Sequence, residues 1–197
     1  MNYAKMVKYD ATNWNGISAS LFVSGCVFNC SGCFNKDTQS FEYGEKLTDN
    51  ILTNFIEHCN SPKINGVNIL GGDLFWQDPN DVFHLLYRLY TEVGKPIRVW
   101  TGFTYEDILH DKNKKTSLLM IDVLIDGRFE IDKKDLNLLY RGSYNQRVID
   151  VQESLRLGGL VTILKRRETF TVSFLFVPRD IHKGYNEKII KFWRELL

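Results

Sequence analysis

No stretch of this sequence stays apolar long enough to cross a bilayer. Its most apolar later run, Leu118 to Ile125, is broken by Asp122 and is far shorter than the roughly twenty residues a helical span requires. The N-terminus, Met-Asn-Tyr-Ala-Lys-Met-Val-Lys-Tyr-Asp, places no apolar stretch behind its first charges, so it is not expected to be a signal peptide. An excess of one charge is missing too: 25 Lys and Arg face 24 Asp and Glu, which gives no reason to expect a polyanion as partner. No internal repeat and no low-complexity segment is present. Cysteine is scarce, four in 197 residues, which is too few for a disulfide framework in a chain of this size. The absences leave a cytoplasmic protein with neither membrane nor nucleic acid as expected partner. Its composition, 44% hydrophobic and 25% charged, suits one domain of generous size that folds without staples.

What is present alternates between strand-like and helix-like pattern. Ser18 to Ser24 is a short β-rich run that delivers the chain to Cys26. Thr48 to Cys59 carries Leu47, Ile51, Leu52, Phe55, Ile56 and Cys59 at helical spacing, with Thr48 as N-cap. Gly66 to Leu70 reads as a strand stopping at Gly71-Gly72, Asp81 to Val93 as a helix, and Pro96 to Trp100 as a strand ending at Thr101-Gly102. Tyr105 to His110 is a brief helix, and Ile121 to Ile125 a strand ending at Asp126-Gly127. Strand, helix, strand in this order predicts an α/β fold of βαβ units on a parallel sheet. Ligands of such sheets sit at the carboxyl ends of the strands. Four motifs fall there: Cys26–Cys33, Gly71–Asp73, Thr101–Gly102 and Asp126–Gly127.

After Leu157 the pattern changes. Leu160 to Leu164 and Phe170 to Val177 read as a hairpin, and His182 to Leu197 as an amphipathic helix bearing Ile189, Ile190, Phe192, Trp193 and Leu196. From Leu157 onward eight Lys and Arg face four Asp and Glu, about +4 against about −3 for the remainder. The expected division is therefore residues 1–156 as one domain and 157–197 as a C-terminal extension. The extension either closes an open sheet edge or contacts a partner; the charge favours the partner.

Three of the four cysteines fall inside eight residues, as Cys26-x3-Cys30-x2-Cys33. Thiolate is the ligand of iron–sulfur clusters, and four cysteines normally close a cubane, so three leave one iron open. A zinc site would need a fourth Cys or His, and the nearest histidine, His58, lies beyond a predicted helix. A redox dithiol at Cys30 and Cys33 leaves Cys26 unexplained. Cys59 occupies an apolar helix position and reads as a small buried hydrophobe.

With these residues the chain resembles the radical S-adenosylmethionine enzymes, and more narrowly the activating proteins of anaerobic ribonucleoside-triphosphate reductases. The segments that carry the resemblance are Leu21–Cys26, Gly32–Asn35, Leu70–Asp73, Val99–Gly102, Asp122–Phe129 and Tyr140–Arg147, which together span roughly residues 1 to 155. The cysteine triplet alone is shared by a vast superfamily. The blocks Val-Leu-Ile-Asp-Gly and Arg-Gly-Ser-x-Asn-Gln narrow it.

The resemblance implies an incomplete (β/α) barrel and a [4Fe–4S] cluster on Cys26, Cys30 and Cys33. It implies S-adenosylmethionine on the open iron and cleavage of that cofactor by one electron from a donor such as flavodoxin. A 5′-deoxyadenosyl radical would then take a hydrogen from a glycine of the partner, the reductase large subunit. The cofactor residues it implies are Gly32, Phe34, Gly71, Gly72, Asp73 and Asp126, with no catalytic side chain beyond cluster and cofactor. Asp73 would accept from the methionyl ammonium, although Gly-Gly-Asp also fits a plain turn. Asp126 would serve the cofactor or cap the next segment, and Arg141 and Asn145 would contact a partner or brace the structure. The chain departs from the family in Leu74 where proline usually follows the aspartate, and in Ser18 where arginine is common. Adenine would lie against Phe28 or Phe34. The other readings are activation of a different glycyl-radical enzyme, radical chemistry on a small molecule, and a metal-stabilised interaction module without catalysis.

Overall fold

The structure, a computed structural model, describes residues 1–163. Of the expected C-terminal hairpin only residues 160–163 are described; its second strand, Phe170 to Val177, and the helix His182 to Leu197 lie outside the described residues. Seven strands form one mixed sheet: β1 (Asn2–Asp10), β2 (Ser18–Val23), β3 (Glu45–Lys46), β4 (Gly66–Gly71), β5 (Ile97–Trp100), β6 (Val123–Asp126) and β7 (Arg147–Asp150). Their order is β3-β1-β2-β4-β5-β6-β7. The middle four, β2, β4, β5 and β6, run parallel, as the βαβ pattern predicts. The flanks differ from a purely parallel sheet. β1 pairs antiparallel with β2 and β3, and β7 antiparallel with β6.

Helices α1 (Asp49–Cys59), α2 (Pro79–Glu92), α3 (Tyr105–His110) and α4 (Val151–Leu157) complete the fold. Thr48 caps α1 by accepting from the Ile51 amide at 3.4 Å. Asp78 and Pro79 start α2 two residues earlier than its apolar spacing alone predicts, since proline fits the first helical turn. α1 and α2 bury Leu52, Phe55, Ile56, Leu85, Leu86 and Leu89 against Ala19, Leu21, Val23, Val67, Ile69, Ile97 and Val99, the odd-numbered positions of the central strands.

The opposite face of those strands is polar. Asn68 Nδ2 donates to Ser18 and Ser20 at 2.8 and 2.9 Å, and Ser20 donates to Asp10 at 2.5 Å. Burial would push the Asp10 carboxyl up, but hydrogen bonds from Ser20, Asn13 and Thr12 outweigh it and hold the group at about 2. Beside Asn68, Arg98 is 2% exposed and lies between the Trp14 and Tyr140 rings at 4.1 and 4.0 Å. Burial lowers its pKa only to about 10, so it remains a cation that pins two loops to the sheet. Past α4 the chain returns to the sheet: Ile163 donates to Val148 at 2.6 Å and Thr162 bridges Ile149.

Candidate functional site

Because β2, β4, β5 and β6 are parallel neighbours, their carboxyl ends reach one edge, and the loops that follow them bound a cavity of about 450 Å³. That volume is in the range of small-molecule sites. Cys26, Cys30 and Cys33 all line it, with Phe34, Gly71, Gly72 and Asp73. Of the residues implied by the resemblance, Gly32 and Asp126 do not.

The cysteine loop is fixed at its start by backbone. Gly25 donates to Thr38 at 2.7 Å and Cys26 to Gln39 at 3.0 Å. The Gly71-Gly72 turn presses against it from β4, Gly72 donating to Val23 and Asp73 to Gly25. A Cβ on Gly72 would stand 2.6 Å from the Gly25 oxygen and 2.8 Å from that of Thr38, and Gly71 has φ of +108°. Glycine is required at both for reasons of space and backbone. Gln77, which no sequence pattern singles out, donates to Gly25 and Asp73 oxygens at 3.1 Å.

Asp73 ties β4 to β5. Its carboxylate accepts from the amides of Phe75 (2.9 Å) and Gly102 (2.7 Å) and from the Thr101 hydroxyl. Burial nevertheless pushes its pKa up to about 6. Leu74, in the place of the usual proline, is buried in a short 3-10 turn behind it. Asp126 is 1% exposed and turned to the helix side, where it accepts from the Tyr105 amide at 2.7 Å and pairs with Arg147, which also holds Glu106. It caps α3.

Cys26 is pushed up to about 11 and Cys30 is raised, both chiefly by burial. Without a cation the Cys26 and Cys30 thiols thus stay protonated, and a metal must supply the charge that makes them thiolates. Among the described residues, no three His, Cys, Asp or Glu side chains are gathered tightly enough to hold a metal ion as they stand. The three thiols share a cavity wall rather than a common point. As a donor set on one cavity, three cysteines fit an iron–sulfur cluster. Cys59 is fully buried and pushed up to about 12 by that burial, well apart in role.

The far wall is the segment from Gly127 to Gln146. Arg141 and Asn145 make bonds inside it, to the oxygens of Gln146 and Arg128, and Gln146 binds Gly127, Gly142 and Ser143. These contacts brace the Arg-Gly-Ser-x-Asn-Gln block from within. Trp100, Phe129 and Tyr140 also line the cavity, and nothing in sequence spacing distinguishes them from core aromatics.

A family model described as "4Fe-4S single cluster domain" matches residues 12–149. The chain is 38% identical over 152 residues to the anaerobic ribonucleoside-triphosphate reductase-activating protein of Escherichia coli K12, covering 75% of this chain and 97% of that protein. It is 36% identical over 150 residues to the protein of the same name from Vibrio cholerae, covering 74% and 96%. With the one from Enterobacteria phage T4 it shares 34% over 152 residues, 75% of this chain and 93% of the relative.

Proposed function

We propose, for a chain that belongs to the family of the anaerobic ribonucleoside-triphosphate reductase-activating proteins, that it generates the glycyl radical of such a reductase. Its open sheet is read as an incomplete (β/α) barrel of the radical S-adenosylmethionine type. Cys26, Cys30 and Cys33 hold the [4Fe–4S] cluster, which when bound to S-adenosylmethionine supplies the one-electron cleavage that starts the radical chemistry. The observation that carries this reading is the meeting of three thiols and the Gly-Gly-Asp turn on one cavity.

The chain's own share is binding and orientation. Gly71 and Gly72 let backbone approach the methionyl part of the cofactor, and Asp73 accepts from its ammonium with the lone pairs its own chain leaves free. Phe28 and Phe34 offer apolar surface for adenine. Asp126 positions α3 rather than touching cofactor. The large subunit of the reductase is the partner, a flavodoxin-type protein the electron donor, and a reducing cytoplasm the setting. Of the extension at 157–197, residues 161–163 cover the edge of β7 and the remainder serves the partner.

The test is anaerobic iron reconstitution, followed by reduction with S-adenosylmethionine with and without reductase. Close to four irons, 5′-deoxyadenosine on reduction and a glycyl EPR doublet on the reductase are expected. Cluster without 5′-deoxyadenosine would leave a binding module. 5′-Deoxyadenosine without a glycyl signal would point to another substrate.

A further inference from the structure

The Gly127–Gln146 segment is a small folded unit in its own right. Tyr144 donates to Lys133 at 2.9 Å, Asp135 to Gly142 at 3.2 Å, and Lys134 bridges Ser143. It meets the cysteine loop through a limited set of contacts. Arg128 lies over the Phe28 ring at 4.4 Å, between Cys26 and Cys30 in sequence. The Phe129 ring stands 5.2 Å from Phe34, and Lys134 lies over the other contact ring, Phe34, at 5.1 Å. Ile131 packs on Gly32, where an added Cβ would stand 2.7 Å from it. Arg128 shares the cavity with Cys26, Cys30 and Cys33, and its charge opposes the burial that raises the Cys30 thiol.

We infer that the Gly127–Gln146 segment is a cover whose seating sets how readily the cluster accepts its electron, through the Arg128 cation it holds over Phe28. This rests on the cysteines holding the cluster as proposed above. In the reduction step one electron leaves a single-electron donor protein and arrives on the cluster; no bond breaks and no proton moves. The site becomes more negative by one charge, so a nearby cation favours the reduced form. Arg128 comes from about a hundred residues further along the chain, on a segment that also walls the cofactor cavity. Whatever presses the cover down makes the cluster easier to reduce, and whatever lifts it makes reduction harder. By linkage, reduction in turn favours the seated cover.

The test is a redox titration of the reconstituted full chain, read by EPR without S-adenosylmethionine or reductase. Arg128→Gln removes the cation. Gly142→Val unseats the cover, since a Cβ there would stand 2.9 Å from Phe129 and 3.0 Å from Phe34. Each is expected to lower the reduced-to-oxidised ratio at fixed potential at least tenfold, about 59 mV for one electron. Lys133→Gln, a cation of the same segment paired with Glu130, is expected to leave the midpoint in place. A midpoint unmoved in Arg128→Gln, or moved equally in Lys133→Gln, overturns the inference. Should Gly142→Val fail to load iron, the comparison of Arg128→Gln with Lys133→Gln decides alone. A wild-type chain that takes up no iron would instead overturn the proposed function.

Discussion

Asp73 joins two duties, bracing β5 and facing the cavity, and its raised pKa makes them separable. Its folded pKa of about 6 lies above the ordinary 3.8, so the ligand-free carboxyl holds its proton into mildly acidic solution. A ligand ammonium selects the ionised form. S-Adenosylmethionine affinity is therefore expected to rise about tenfold per pH unit below pH 6 and to level off above it. Asp73→Asn should flatten that profile and weaken binding at pH 7 by roughly tenfold to a hundredfold, the worth of a hydrogen bond to a charged group. Calorimetric titration across pH 5–8 checks both, and a flat wild-type profile would restrict Asp73 to its bracing role. The cysteines divide as cleanly. Cys26→Ala, Cys30→Ala or Cys33→Ala should each abolish iron uptake. Cys59→Ala should keep it and cost about 1 kcal/mol, as for a methyl-sized deletion in a core.

At the scale of elements, the pair Asp126–Arg147 joins β6, β7 and α3, with 2.5 Å between the charged groups. Arg147→Met leaves a buried carboxylate uncompensated and is expected to cost about 3 kcal/mol. That lowers the melting temperature by roughly 6–12 °C, with the cluster of the folded fraction unchanged. Thermal denaturation with iron analysis reads the two together. Both residues lie in the segments that carry the family resemblance, yet their mutual bond was not legible, because sequence spacing says nothing of which face of a strand end a carboxylate takes. The parallel strands and α1 to α3 were legible, since continuous apolar runs and helical spacing reflect burial on both faces or on one. β1 was not: it is largely half-buried, broken by two register shifts, and so lacks a clean alternation. β7 and α4 are short, four and seven residues, and no sequence pattern singled them out. The cavity followed from strand ends, a consequence of parallel topology, while its far wall did not, because that wall is a loop held by Gln146 and its neighbours.

For the whole molecule, the sheet decides where the chain can be shortened. Residues 161–163 hydrogen-bond to β7, so truncation after Arg156 leaves β7 as an exposed edge. Truncation after Ile163 keeps that cover. Full iron content and full uncoupled S-adenosylmethionine cleavage are expected for the Ile163 truncation, with a fall only in glycyl-radical yield. The Arg156 truncation should aggregate or lose stability. Loss of iron in the Ile163 truncation would show that the extension belongs to the core. No helix among the described residues is long and apolar enough to cross a membrane.

The packing of the Gly127–Gln146 wall on the cysteine loop has a consequence for biogenesis. During synthesis at roughly 5–20 residues per second, the cysteine loop emerges about 5–20 seconds before the segment that will wall it in. Iron therefore meets the three thiols while their cavity still lacks one side, and the last side closes over whatever has been installed. Nascent chains arrested near residue 125 should accept a cluster from a carrier protein faster than the finished apoprotein does. In the finished chain, loading should be limited by the opening of that wall rather than by the affinity of the thiols.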